Sequence, residues 1–238
     1  ATKADPETLV LDARMAGRGI AISTMHIPVR PGPFTFVYPQ WIPGYHSPAG
    51  PLADISQLKV SADGHALAWR RDKVDMYAFH VVVPQGVHSI KVQFTMLLNG
   101  GTSTRATPNL AVITWTRAFF YQNDINYHHY YLKASIILPK GWGYGTALTT
   151  ASRVGQRINF AEEPLTYVGD SPLFTGRFYK KVLLWHQGDA HMWLDMFADA
   201  PQDLDVPAKL LEAYKNLPRE AFALYGTRHW YNYHALLS

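Results

Sequence analysis

Eleven histidines, a scatter of carboxylates and a few serines are the residues of this 238-residue chain with chemistry to offer. Histidines suggest a metal first. A catalytic zinc helix needs two histidines four apart on one face, usually with a glutamate between them as general base. No His-Glu-x-x-His occurs, and no histidine is followed directly by glutamate. His186 and His191 stand five apart across a Gly-Asp turn signal, and His229 and His234 are also five apart. Along a strand that spacing sends two side chains to opposite faces, and the adjacent His128 and His129 diverge likewise. Each pair reads as ordinary strand and loop histidine, and no metal ligand is expected in this chain.

Covalent and phosphate chemistry have no better footing. There is no Gly-x-Ser-x-Gly elbow, and Ser171 in Asp170-Ser171-Pro172 is not placed on a strand-to-helix turn. Glu162-Glu163 are consecutive and read as solvated loop charge. The glycines at 141, 143 and 145 lack a following Lys-Ser/Thr. No catalytic residue is therefore expected in this chain. There are no cysteines, which excludes disulfides, thiolate metal sites and cysteine nucleophiles.

Two loops stand out instead. Tyr38-Pro39-Gln40-Trp41-Ile42-Pro43-Gly44-Tyr45 packs two prolines, a glycine and large aromatics into eight residues. Each proline fixes φ and removes a donor, so neither suits a helix interior or a central strand. Gly44 permits a positive φ, so Pro43-Gly44 reads as a tight turn that aims Trp41 and Tyr45. The second loop is Val168-Gly169-Asp170-Ser171-Pro172. Asp170 there either caps backbone donors in its own turn or faces a ligand.

The elements that must position these loops are strands. Hydrophobic content of 47% with 17% charged residues is globular, and 7 Trp, 14 Tyr and 11 Phe favour half-buried strands. From Val87 to Met96, His88, Ile90, Val92, Phe94 and Met96 alternate with polar residues. Similar patterns cover Ile20–Val29, Phe34–Tyr38, Val74–Val83, Leu110–Phe119, Tyr130–Leu138, Arg177–His186 and His191–Ala198. Turn signals separate them at Asp63-Gly64, Pro84-Gln85-Gly86, Asn99-Gly100-Gly101, Lys140-Gly141-Trp142-Gly143 and Gln187-Gly188-Asp189. The pattern predicts a mainly β fold, an antiparallel β-sandwich or saddle-like sheet. After Pro201 the period changes. Asp205 is a candidate cap, Leu210, Leu211, Tyr214 and Leu217 recur at helical spacing, Pro218 should interrupt the helix and Gly226 should stop it. Trp230–Leu237 reads as one more strand. The expected division is a β-domain over 1–200 and a helix with a first strand over 201–238.

Net charge is +4, but Arg70-Arg71 and Lys180-Lys181 are the only basic doublets, so no nucleic-acid stripe exists. No apolar run approaches a membrane span. Ala1-Thr2-Lys3-Ala4-Asp5 would suit a mature exported N-terminus, periplasmic or secreted, with the cytoplasm left open. An apolar strand at the very end suggests a fragment whose last elements begin a further domain.

The two loops together carry a resemblance. Pro39-Gln40-Trp41-Ile42-Pro43-Gly44-Tyr45 resembles the Pro-x-Trp-x-Pro-Gly-x-Tyr block in the N-terminal domain of the glycyl aminopeptidase family of zinc metallopeptidases. Leu52–Val60 looks like the segment that follows it, and Asp63-Gly64-His65 through Val81 like the family's hairpin. Tyr167-Val168-Gly169-Asp170-Ser171-Pro172-Leu173-Phe174-Thr175-Gly176 resembles its Asp-Ser-Pro-x-x-x-Gly loop. Leu217 through Tyr233 is similar to the opening of the catalytic domain. The tyrosine follows Gly44 directly, and Gln57 stands where a basic residue is expected.

The resemblance implies a β-domain joined to a thermolysin-like catalytic domain, often with a PDZ-like domain beyond. Zinc and its ligands would lie in that catalytic domain, which is the expected partner of this chain. This chain would line part of a peptide cleft, with Tyr45, Asp170 and Ser171 as candidate substrate contacts. Trp41, Pro43, Gly44, Pro172 and Gly176 would be structural, and no cofactor is expected in this chain. The alternative is a stand-alone β-sandwich binding glycans or peptides on aromatic platforms, with Trp142 and Tyr144, or Tyr127 to Tyr131, as the stacking residues.

Overall fold

Alternating sequence becomes strand, and the strands gather into four sheets of a computed structural model that describes residues 1–42, 44–99, 104–228, 230 and 232–238. Pro43, Gly100-Gly101 of one expected turn, and His229 lie outside the described residues. In chain order the first strands are β1 (Glu7–Asp12), β2 (Ile20–Pro28), β3 (Gly32–Val37), β4 (Ile55–Ala62), β5 (His65–Ala66) and β6 (Trp69–Arg71). Next come β7 (Ala78–Val83), β8 (Ser89–Leu97), β9 (Arg105–Ala106), β10 (Leu110–Ile113), β11 (Tyr121–Gln122) and β12 (Tyr131–Ile137). The chain continues with β13 (Gly143–Gly145), β14 (Thr150–Val154), β15 (Arg157–Pro164), helix α1 (Leu165–Gly169) and β16 (Leu173–Gly176). It closes with β17 (Phe178–Gln187), β18 (Ala190–Ala198), helix α2 (Ala208–Tyr225) and β19 (Asn232–Leu237).

The largest sheet has eight strands in the order β14-β15-β12-β1-β2-β8-β4-β5. Two four-stranded sheets, β13-β16-β10-β9 and β11-β3-β7-β6, share its core, and β17-β18-β19 form a fourth sheet. Among the described residues the pairing is antiparallel apart from two parallel ladders, β1 with β12 and β18 with β19. This is the mainly antiparallel, layered β fold that the alternation implies. In β8, Ile90, Val92, Phe94 and Met96 point into the core while Ser89 and Lys91 face solvent.

The core is tied by one ring. Phe120 is fully buried and meets Phe94 of β8 at 5.2 Å, Phe79 of β7 at 5.3 Å and Phe36 of β3 at 5.4 Å, centroid to centroid. It thereby joins the eight-stranded sheet to the β11-β3-β7-β6 sheet. Three of these pairs are edge-to-face, the arrangement that opposes ring quadrupoles favourably.

Several expectations are corrected. Leu110–Phe119 is not one strand, because β10 ends at Ile113 and Trp115–Arg117 form a buried 3₁₀ turn. A wholly buried run has no alternation to distinguish a strand from a turn. Val74–Val83 becomes strand only at Ala78, since the Asp72 carboxylate accepts the Val74 and Asp75 N–H groups at 2.8 and 2.9 Å and holds a turn. Glu162-Glu163 lie on β15 opposite Lys133 and Leu132, not in a loop. Strand β1, whose apolar positions are only half the segment, was not anticipated. His186 and His191 face each other across the β17–β18 hairpin with rings 6.3 Å apart, since the turn folds the five-residue spacing back on itself.

Helix α2 runs without a break through Pro218. Proline forfeits one i→i−4 bond, but Pro218 is the buried residue of this helix and lines a small apolar pocket together with Met192, Ala221, Trp230 and Tyr233. Asp205 does not cap the helix. The first turn instead donates to the Pro207 carbonyl from Leu210 and Leu211 at 2.9 and 3.0 Å. Gly226 ends the helix at φ +66° and returns its N–H to the Phe222 carbonyl. Leu184, Met192, Leu194 and Met196 make a second apolar cluster with Trp185, Leu211, Tyr214 and Ala235. Leu210, Leu217, Leu224 and Tyr225 of α2, with Tyr233 and Leu237 of β19, remain exposed. No helix among the described residues is long and apolar enough to cross a membrane.

Candidate functional site

The two loops singled out by sequence border one cleft of about 460 Å³. The first leaves β3 at Tyr38, which is buried and donates its hydroxyl to the Arg117 carbonyl at 3.0 Å. Pro39 then turns the chain outward, so that Trp41 is 64% exposed on the cleft while Ile42 is buried behind it. Gly44 takes φ +86°, and the Tyr45 N–H closes the turn on the Ile42 carbonyl at 3.0 Å. The loop's far end is pinned by Tyr77, whose hydroxyl donates to the Pro48 and Gly50 carbonyls at 3.1 and 3.0 Å.

Gly50 is required by space. Its N–H reaches the Gln40 carbonyl at 3.1 Å, and a Cβ there would stand 1.9 Å from the Pro39 carbonyl oxygen. Because the obstacle is backbone, it cannot rotate away. Gly50→Ala is expected to cost about 1–3 kcal/mol and to shift the Trp41 indole resonance. A variant with unchanged stability and spectrum would show that the loop is not held this way.

The second loop arrives through α1. Thr166 and Gly169 line the cleft, and Gly169 lies so close to Thr116 that a Cβ would meet its Cγ2 at 3.1 Å. Thr116 sits in the 3₁₀ turn, buried, with an Oγ1 that has no hydrogen-bond partner among the described residues. The same turn holds Arg117, which pairs in the interior with Asp54. Burial pushes the Arg117 pKa down, opposed by Tyr38 and Tyr45. Tyr121 and Tyr127 form the opposite wall with rings 5.6 Å apart, and burial pushes the Tyr121 hydroxyl pKa up, helped by Tyr127 and Asp75. Asp75 is the one charged residue on the wall among the described residues. One of its oxygens accepts the Tyr77 N–H at 2.9 Å.

The candidate contacts fall differently. Trp41 reaches the cleft, whereas Tyr45, Asp170 and Ser171 do not line it. Tyr45 is half-exposed on the loop's outer turn, and Asp170 is exposed, with its N–H on the Thr166 carbonyl at 3.1 Å. No described residue hydrogen-bonds to the Asp170 carboxylate, so it is not the cap of its own turn. Ser171 is buried at 3% exposure, and its carbonyl accepts from Thr146 at 3.5 Å. Pro172 is half-buried, and Gly176 pairs with Leu110 and Gly143, where a Cβ would press on the Asn109 carbonyl at 3.0 Å. The platform residues of the alternative are divided: Trp142 is buried and Tyr130 is buried with its hydroxyl on Glu7, Tyr144 and Tyr131 are half-buried, and Tyr127 is exposed on the cleft. Thr116, Asp75 and Tyr121 were missed because no local pattern links them to either loop.

A family profile for the peptidase M61 N-terminal domain matches residues 10–177. The chain belongs to the peptidase M61 N-terminal domain family. The resemblance to the N-terminal part of a zinc metallopeptidase is thereby established. Among solved structures, an aminopeptidase N family protein from Idiomarina loihiensis matches this M61 domain chain with a TM-score of 0.80 at 10% identity, over 96% of this chain and 38% of that one. An M1 zinc metallopeptidase from Deinococcus radiodurans, a variant solved with a Tyr-Ser-Ala substrate, matches with a TM-score of 0.57 at 13% identity, over 98% of this chain and 56% of that one. The M61 domain chain thus spans less than two thirds of either protein, and at these identities the likeness is one of fold. No match was found among curated proteins. Among the described residues of the M61 domain chain, no group of three or more His, Asp or Glu side chains is placed to hold a metal ion. These residues do not fit a zinc site.

Proposed function

We propose that this M61 domain chain is the substrate-cleft and scaffold portion of a zinc-dependent aminopeptidase that removes N-terminal residues from peptides. In this reading zinc and the residues that bind it belong to a catalytic domain, and the chain is inactive by itself. The observation that carries the reading is the match to the aminopeptidase N family protein over 96% of the chain. Covering 96% of the chain, that likeness runs past residue 177, where the family profile ends. We place the boundary of the N-terminal domain near residue 177 instead of 200, because β17, β18 and β19 share one sheet and their own apolar cluster. The exposed leucines of α2 and the edge strand β19 are a surface for the rest of such a catalytic domain.

The cleft supplies the chemistry of binding. Trp41, Tyr77 and Tyr121 offer an aromatic wall to an apolar side chain. The Thr116 hydroxyl offers a partner to a peptide group, and Asp75 offers a carboxylate to an amine. Asp170 and Tyr45 stay in the reading as contacts outside the cleft wall, and the buried Ser171 acts through its backbone.

Titration with the tripeptide Tyr-Ser-Ala, followed by NMR, tests this. Saturable shifts of the Trp41 indole and Thr116 amide are expected, with a dissociation constant in the millimolar range. Trp41→Ala should weaken binding at least about fivefold. Added zinc should give no release of the N-terminal residue. Shifts scattered over the surface, or binding indifferent to Trp41→Ala, would remove the cleft from the reading, and peptide hydrolysis by the chain alone would overturn its inactivity.

A further inference from the structure

A second cleft, of about 390 Å³, lies between β13 and β14 on one side and the β17-β18-β19 sheet on the other. Its floor is built from glycine. A Cβ at Gly143 would stand 2.5 Å from the Tyr179 ring, and one at Gly145 would stand 2.7 Å from the Asp195 side chain. The β13 backbone therefore lies directly on those two residues.

Asp195 is fully buried, and both of its oxygens are used. Oδ1 accepts the Tyr179 hydroxyl at 3.0 Å, and Oδ2 pairs with His234 Nδ1. The carboxylate thus fixes the imidazole, which is itself almost wholly buried on the cleft wall. His234 Nε2 is left without a partner among the described residues. Burying a carboxylate and a histidine on neighbouring strands is costly unless the pair is satisfied or used.

The rest of the wall is cationic and rich in donors. Arg153 and Lys181 are its charged residues, no Asp or Glu side chain lines it among the described residues, Tyr144 and Thr150 share a hydroxyl–hydroxyl hydrogen bond on it at 2.9 Å, and Asn232 adds an amide. Arg153 donates its Nε to the Gly155 carbonyl at 3.3 Å, and its two terminal nitrogens have no hydrogen-bond partner among the described residues. Lys181 is steadied over the Trp193 ring, its Nζ 4.4 Å from the centroid. Two cations with unspent N–H groups facing one open cleft are the chemistry of an oxyanion receptor, in which charge-assisted hydrogen bonds to a carboxylate or phosphate are the strong contacts.

We propose that this cleft binds a small ligand through an oxyanion group, a carboxylate or a phosphate, held by Arg153 and Lys181 with His234 positioned by Asp195. The site stands apart from the aromatic cleft and does not depend on the peptidase reading.

The test is an NMR titration of the 238-residue chain with sodium acetate and, separately, with inorganic phosphate, each at constant ionic strength set with sodium chloride. Saturable shifts at the His234 ring and the Gly145 amide are expected, with a dissociation constant in the millimolar range. Tighter binding of acetate assigns a carboxylate ligand, and tighter binding of phosphate assigns a phosphate. Arg153→Ala and Lys181→Ala, both at exposed positions, should keep the fold and weaken binding about tenfold each. His234→Gln should weaken it as well. Shifts that are absent, that do not saturate, or that persist unchanged in both cation variants would overturn the proposal.

Discussion

Phe120→Ala should lower folding stability by about 3–5 kcal/mol, the range for emptying a buried aromatic site. Phe120 has no exposed surface, and its ring sits against Phe36, Tyr38, Phe79 and Phe94 at centroid distances of 5.2 to 5.4 Å. Those four rings come from three strands and a loop in two sheets, so no single neighbour can swing in to close the gap. The loss combines the transfer energy of the ring, the unfilled cavity and the edge-to-face pairs, each worth about 0.5–1.5 kcal/mol. Urea denaturation followed by tryptophan fluorescence reads the change as a lower midpoint with a similar slope. Phe120→Leu, which keeps most of the volume, should cost less than half as much. A loss under about 1 kcal/mol for Phe120→Ala would mean that the two sheets are held together elsewhere.

The second large effect depends on pH. Glu7 is fully buried on β1, and burial pushes its carboxyl pKa up from 4.5 to about 8, partly offset by the Tyr130 hydroxyl donated to it and by the Ala1 amine. The folded state therefore holds a proton that the unfolded state releases above pH 4.5. Stability is unaffected by this group below about pH 4.5, falls as pH rises from there toward 8, and levels off beyond. The loss across that window is on the order of a few kcal/mol. Glu7→Gln keeps an acceptor for Tyr130 and cannot ionise, so its melting temperature should stay level between pH 5 and pH 8.5 while that of the parent chain drops. Parallel pH profiles for the two proteins would show that Glu7 does not carry the dependence. A carboxyl held neutral inside a β-sheet also explains how the parallel β1–β12 ladder tolerates an acidic residue at its start.

Much of the architecture was legible because its causes are local. Alternation in Ile90, Val92, Phe94 and Met96 marks β8, since a strand facing a core buries every second side chain. Gly44, Gly188 and Gly226 mark turns because each adopts a positive φ that other residues avoid. The loops at Trp41 and Gly169 were visible for the same reason: proline and glycine restrict or free the backbone whatever surrounds them. A buried 3₁₀ turn at Trp115–Arg117 resembles a strand in sequence, and Pro218 reads as a helix break although the helix continues through it with the ring buried.

The amino-acid sequence by itself thus determined a β protein with its turns in place, its two unusual loops and its membership of a peptidase family. Tertiary structure alone decided that Tyr130 meets Glu7 and that Phe120 joins two sheets. It also decided that Thr116 lies between the two loops and that Asp195 and His234 share one site. The physical reason is separation along the chain. Backbone preference and hydrophobic period act over a few residues, whereas a hydrogen bond between positions 39 or 123 residues apart exists only once the sheets have chosen their neighbours.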